Sequence, residues 1–215
     1  PSKIFNQKKI NDFFNLKISE RGKLVSLLKE LKSKGFDRIS FELRKNPFKA
    51  RKAISSYAFL TDCLVTSAWK FATEIQFPSH NPTEAEKLSI ISVGGYGRRE
   101  MAPFSDVDLL FLTPYKMTPW SENVIETVLY LLWDLKLKVG HSSRSIKDCL
   151  RLGSDDYTIR TAMLEHRFVC GDSNLASQLN EKLWKNLFSG TAKDFISAKL
   201  KERDRKSTRL NSSHQ

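Results

Sequence analysis

Cysteine is scarce. Cys63, Cys149 and Cys170 are the only three, far apart and without a C-x-x-C pair. That excludes a disulfide framework and a cysteine zinc site and leaves packed free thiols as the expectation. No run approaches the ~18–20 uncharged apolar residues of a spanning helix, and residues 1–14 lack the apolar stretch and cleavage site of a secretory leader. A cytoplasmic protein without a membrane partner is therefore expected. Catalytic signatures are missing as well. There is no G-x-x-x-x-G-K-[ST] phosphate loop, and Gly95-Tyr96-Gly97-Arg98-Arg99-Glu100 lacks the third glycine of a dinucleotide fingerprint. No His-Glu-x-x-His or Gly-x-Ser-x-Gly occurs, and His166-Arg167 runs into Phe168 where a kinase loop needs aspartate.

What is present is an ordinary globular composition, 40% hydrophobic and 28% charged over 215 residues, enough for one domain with an extension. The net charge of +12 is unevenly placed: residues 1–52 hold 15 Lys and Arg against 5 Asp and Glu. Residues 199–215 hold 6 against 2, which leaves 53–198 close to neutral. A nucleic-acid groove keeps its positive charge beside its chemistry, because phosphate neutralisation supplies most of the affinity. The basic N-terminal quarter reads instead as solvated helix faces, and no nucleic-acid partner is expected.

Leu24, Leu27, Leu28 and Leu31 recur at helical spacing over 20–34, with Gly35 as the expected stop. After Pro47, Ile54, Tyr57, Ala58, Leu64, Ala68, Phe71 and Ile75 predict a longer helix up to the His80-Asn81-Pro82 breaker. The β-branched segment Leu88-Ser-Ile-Ile-Ser-Val predicts a strand running into Gly94-Gly95-Tyr96-Gly97. Ser105-Asp106-Val107-Asp108 opens a second strand, apolar through Leu112, and 124–135 is helical. A short strand is expected at 137–139 and helices behind Asp156, over 175–187 and from Thr191 to about Lys206. Residues 206–215 break every earlier pattern and read as an extraneous tail.

The residues that carry chemistry are Gly94-Gly95, then ten residues, then Asp106-Val107-Asp108 on a strand. Positions i and i+2 of a strand share a face, so the two carboxylates stand side by side and repel unless cations lie between them. Mg²⁺ takes oxygen ligands and nucleotide phosphates together, and paired ions suit in-line phosphoryl displacement. The glycines let backbone amides approach a triphosphate, and Arg98 and Arg99 add positive charge.

This pattern resembles the polymerase β-like nucleotidyltransferase superfamily. More closely, VGGYGRREMAPFSDVDLLFL (93–112), LLWDLKLKVGHSSRSIKDCL (131–150) and TAMLEHRFVCGD (161–172) resemble the bacterial bifunctional PII uridylyltransferase/uridylyl-removing enzymes. The resemblance runs from about 62 to 205, and the family usually has glycine where Arg99 stands. It implies an α+β fold. A basic helical region (1–85) should precede a nucleotidyltransferase core (86–172) with a small mixed sheet flanked by helices, followed by a helical extension (173–205). It also implies Mg²⁺-dependent transfer of UMP from UTP to a tyrosine of the PII signal protein, with release of pyrophosphate. Asp106 and Asp108 would be catalytic and metal-binding; Gly94, Gly95, Arg98 and Ser105 would contact the nucleotide.

Many superfamily members carry a third carboxylate on a later strand. Here Lys138 stands where an acid would be convenient, so Glu165 and Asp172 are weak candidates, and Asp134 reads as a helix-surface residue. His141 and Arg144 are weak candidates for phosphate contact. The removing activity, in an HD domain, and glutamine sensing, in ACT domains, are expected only in a longer protein. A related nucleotidyltransferase with another nucleotide or acceptor, and a non-catalytic fragment that binds PII or nucleotide, are the alternatives.

Overall fold

The computed structural model describes residues 3–79 and 83–212. Three helices come first: α1 (Gln7–Asn15), α2 (Arg21–Lys45) and α3 (Ala50–Lys70). A π-helical turn over Phe71–Gln76 prolongs α3; the expected His80-Asn81-Pro82 breaker lies outside the described residues. Strand β1 (Ser89–Ser92) leads into a single helical turn, α4 (Gly94–Gly97), and β2 (Val107–Thr113) follows. Helix α5 (Pro119–Asp134) starts at a Thr118/Ser121 capping box with Pro119 in its first turn, the position where proline's missing N–H costs nothing. Strand β3 (Val139–Ser145) then precedes α6 (Ile146–Asp155) and α7 (Tyr157–Leu164). Strand β4 (Arg167–Gly171), α8 (Ser173–Leu183) with a π-helical turn at Trp184–Phe188, and α9 (Ala192–Ser212) complete the described chain.

The sheet is mixed, in the order β3-β2-β1-β4. β1 is antiparallel to both β2 and β4, and β2 is parallel to β3. Alternation along β2 divides the interior. Val107, Leu109 and Phe111 face a core shared with α2, α3 and α5, whereas Leu110 and Leu112 join Ile91 in a second core with α6, α7 and α8. The mixed α+β architecture expected from the motifs is the one observed. The N-terminal helices pack into the same core as one face of the sheet. Part of their positive charge is paired on the surface, as in Lys9–Glu30, Lys34–Glu30 and Arg38–Glu42.

Several elements depart from the sequence expectations. Helix α2 does not stop at Gly35 but runs on to Lys45. A Cβ at Gly35 would lie 2.8 Å from both the Ile4 carbonyl oxygen and Leu60 Cδ2, so this glycine is there for close packing of α2 on α3. The third strand starts at Val139 rather than Leu137, because Leu135 and Leu137 turn back to donate to the Leu131 and Leu132 carbonyls. Its polar run, Gly-His-Ser-Ser-Arg-Ser, is tolerated at a sheet edge. Helix α6 and strand β4 have no counterpart in the periodicity reading, and α9 continues through 206–212; residues 213–215 of the expected tail lie outside the described residues.

Candidate active site

The glycine turn and the carboxylate strand are joined by one backbone hydrogen bond. Val93 N donates to the Asp108 carbonyl at 3.1 Å, which places Gly94 against Asp108. Gly94 has φ +61°, a left-handed conformation natural to glycine, and a Cβ there would sit 3.4 Å from Asp108 Oδ2. On the opposite side Gly140 of β3 is the register partner of Asp108, and a Cβ on it would lie only 2.5 Å from Asp108 Oδ1. Two glycines, one in the α4 turn and one on strand β3, thus leave the Asp108 carboxylate its space.

Asp108 is the only residue of β2 that is not fully buried. Asp106, exposed, stands just before the strand, and Ser105 closes the preceding turn by accepting from Ala102 N at 3.0 Å. Burial, and after it the charge of Asp106, raises the Asp108 carboxyl above its ordinary value. The charged form of Asp108 is thus disfavoured first by lost hydration and then by the neighbouring carboxylate. The single turn of α4 leaves its leading N–H groups without intrahelical partners, beside the same carboxylate. The cradle around Asp108 and the oxygen-only character of the pair both suit a hard divalent cation, with Asp106 and Asp108 as its protein ligands. Among the described residues, no group of three or more His, Cys, Asp or Glu side chains converges on a metal position.

The remaining candidates are distributed around this centre. Arg98 reaches Glu100 at 2.9 Å and Glu165 at 2.6 Å, and these two acids, Glu100 first, hold its pKa up. Glu165 is therefore at the turn but engaged with a cation. Arg99, exposed, has φ +60°, a conformation that glycine adopts without strain and other residues do not. His141 pairs in register with Leu109 and makes edge contacts with Phe111 and Trp133, at 6.5 and 6.3 Å between ring centroids. It thus lies on the face of the sheet away from Asp108. Arg144 shares the Asp108 face but is four residues, about 13 Å, further along β3 than Gly140. Asp172 caps α8 by accepting from Leu175 N at 2.7 Å, and Asp134 pairs with Arg21 at 2.5 Å. Two residues the sequence reading does not single out, Asp62 of α3 and Arg167 of β4, form an ion pair at 2.9 Å behind the glycine turn. The legible signal was an acid at 62, between Leu60 and Leu64, inside an otherwise apolar helical pattern.

No protein-family model matches the chain. Curated proteins do. A bifunctional uridylyltransferase/uridylyl-removing enzyme of Ruegeria pomeroyi is 54% identical over 184 residues, covering 86% of this chain and 20% of the relative. The enzyme of the same name from Cereibacter sphaeroides is 56% identical over 191 residues, covering 89% of this chain and 20% of the relative. The Caulobacter vibrioides enzyme is 43% identical over 194 residues, 90% of this chain and 20% of the relative. The chain is a relative of the bifunctional uridylyltransferase/uridylyl-removing enzymes. It spans about a fifth of the length of these uridylyltransferase/uridylyl-removing relatives. Among its described residues no helix is long and apolar enough to cross a membrane.

Proposed function

We propose that this chain supplies the nucleotidyl-transfer site of a uridylyltransferase, which moves UMP from UTP to a tyrosine of the PII signal protein. The observation that carries the reading is the Asp108 cradle. A carboxylate raised in pKa by burial and, after it, by a neighbouring acid is given room by Gly94 and Gly140, at the mouth of a turn whose leading amides have no intrahelical partner. The names of the relatives support the uridylyl specificity, and the motif resemblance supports PII as acceptor.

Asp106 and Asp108 are the residues that would hold Mg²⁺, which when bound neutralises phosphate charge and organises the triphosphate. The amides of Gly94 and Gly95 would receive phosphate oxygens, and Ser105 fixes the turn that presents Asp106. In the overall transfer the tyrosine hydroxyl gives up its proton to solvent, its oxygen forms a bond to the α-phosphorus, the bond from the α-phosphorus to the α–β bridging oxygen breaks, and pyrophosphate departs with that electron pair. Arg98 joins the nucleotide only by leaving Glu100 or Glu165.

Transfer of labelled UMP to PII is the direct test. Asp106→Asn and Asp108→Asn should each abolish it while the far-ultraviolet circular dichroism stays that of the parent. Turnover retained by either variant would sink the assignment, and a preference for ATP or CTP over UTP would redirect it to a related nucleotidyltransferase.

A further inference from the structure

The glycine turn is gripped from behind by a network that reaches into the N-terminal helices. Arg167 donates Nη1 to Asp62 Oδ2 at 3.1 Å and Nη2 to Asp62 Oδ1 at 2.9 Å, a bidentate pair. The same guanidinium donates from Nε to the Gly97 carbonyl and from Nη2 to the Tyr96 carbonyl, each at 3.3 Å. Tyr96, fully buried, donates its hydroxyl to Asp62 Oδ1 at 2.7 Å, and its ring lies 5.3 Å beneath the Arg167 guanidinium. From the other side the Glu165 carbonyl oxygen presses so close to Gly97 that a Cβ there would be 1.9 Å away.

Every nitrogen of the Arg167 guanidinium is thus used, and two of its contacts go to consecutive carbonyls of α4. A carbonyl held from behind fixes the tilt of its peptide plane, and with it the direction of the next N–H. Because the turn has a single helical turn of its own hydrogen bonds, it cannot hold that direction unaided. Lysine could not replace the clamp: it has no planar fork to span a carboxylate and two carbonyls.

We infer that Asp62 and Arg167 are positioning residues for nucleotide binding. They hold the Tyr96 and Gly97 carbonyls directly and, through the bonds that Gly97 N and Arg98 N donate to the Val93 and Gly94 carbonyls, the turn that carries the Gly94 and Gly95 amides, without touching the nucleotide. It follows that α3 is part of the machinery of the site. The inference rests on the proposed nucleotide role of this turn.

The test uses the chain with Mg²⁺·UTP as probe, in Arg167→Lys, Arg167→Met and Asp62→Asn. Ile39→Ala, a core truncation elsewhere in the helical layer, is the control for lost stability alone. Calorimetric titration should show at least about tenfold weaker binding in the clamp variants and unchanged binding in the control. Without nucleotide, hydrogen exchange at Gly97, Arg98, Arg99 and Glu100, whose amides close the turn, should accelerate about tenfold or more in the clamp variants, while α5 stays protected. If Arg167→Met does not fold, Arg167→Lys and Asp62→Asn decide. Clamp variants with parental affinity and parental exchange at the turn overturn the inference. Should the parent chain bind no nucleoside triphosphate, the proposed function is what fails. The exchange measurement then still decides whether the clamp orders the turn.

Discussion

Gly140→Ala separates a site built around the Asp108 carboxylate from a coincidental turn. The added methyl carbon would sit 2.5 Å from Asp108 Oδ1 and 3.7 Å from its Cγ. Ordinary contact needs roughly 3.4 Å or more, so either the carboxylate rotates away or the edge strand β3 shifts by about 1 Å. Overpacking of this size costs about 1–3 kcal/mol. In a chain of this length that is a fall in Tm of roughly 2–12 °C, at about 2–4 °C per kcal/mol. A displacement near 1 Å at a reacting centre costs on the order of 100-fold in rate, so UMP transfer should fall by about that factor. A double-mutant cycle isolates the cause. In an Asp108→Ala background the obstructing oxygen is gone, and Gly140→Ala should become neutral or stabilise by up to about 0.5–1 kcal/mol, because alanine loses less backbone freedom on folding. Thermal melts of the four proteins and labelled-UMP transfer by the two that keep Asp108 suffice. Additive Tm changes, or Gly140→Ala with parental rate and Tm, would refute the idea that glycine at 140 exists to clear Asp108.

Other expectations follow from the same geometry. The Asp108 carboxyl is raised above its ordinary 3.8 by burial and by Asp106. Ionising it therefore costs the folded state, and that cost is absent below the ordinary value and fully present above the raised one. Asp108→Asn should accordingly match or exceed the parent Tm at pH 7–8 and lose that advantage as the pH falls toward 3.8; a Tm gap independent of pH would contradict this. Arg99→Gly removes a left-handed non-glycine residue at φ +60° and should raise Tm by about 2–4 °C, the equivalent of about 1 kcal/mol; a lower Tm would show that the arginine side chain compensates. Gly35→Ala should destabilise by about 1–3 kcal/mol in denaturant melts despite alanine's higher helix propensity, since its Cβ meets Ile4 O and both Leu60 methyls within 3 Å; a gain in stability would mean that α2 and α3 can separate at no cost.

How far the sequence could be read depended on whether a residue's role is local. The strand before Gly94, the apolar strand that carries Asp108 and the helix after Pro119 were legible, because strand alternation and capping act within a few residues, although Asp106, expected on that strand, stands one residue before it. Gly35 was misjudged because a helix-stopping glycine and a close-packing glycine look alike until the partner, Leu60 of another helix, is in place. Strand β4 carries Arg167 and Gly171 at its ends and pairs with β1 through a bulge between Ile90 and Ile91, so its pattern is irregular in both strands. Arg98 reads in the sequence as a cation for the nucleotide phosphates; Glu165, distant in sequence, is the partner that only the fold brings to it.

The stretch Gly140–Arg144 shows why a family-like motif need not map onto one site. In a parallel pair, side chains at paired positions share a face, so β3 deals its residues alternately to the two sides of the sheet. Gly140 goes to the Asp108 side, where any Cβ is excluded. His141 goes to the opposite side, where Phe111 and Trp133 meet its ring edge-on. A shift of one residue in the β2/β3 register would exchange these roles, setting a histidine against the carboxylate and a glycine among aromatic rings. The motif therefore encodes register as much as chemistry. Its glycine makes the carboxylate cradle possible, its histidine fastens the edge strand to the α5 layer, and both requirements are met only when Asp108 is opposite Gly140.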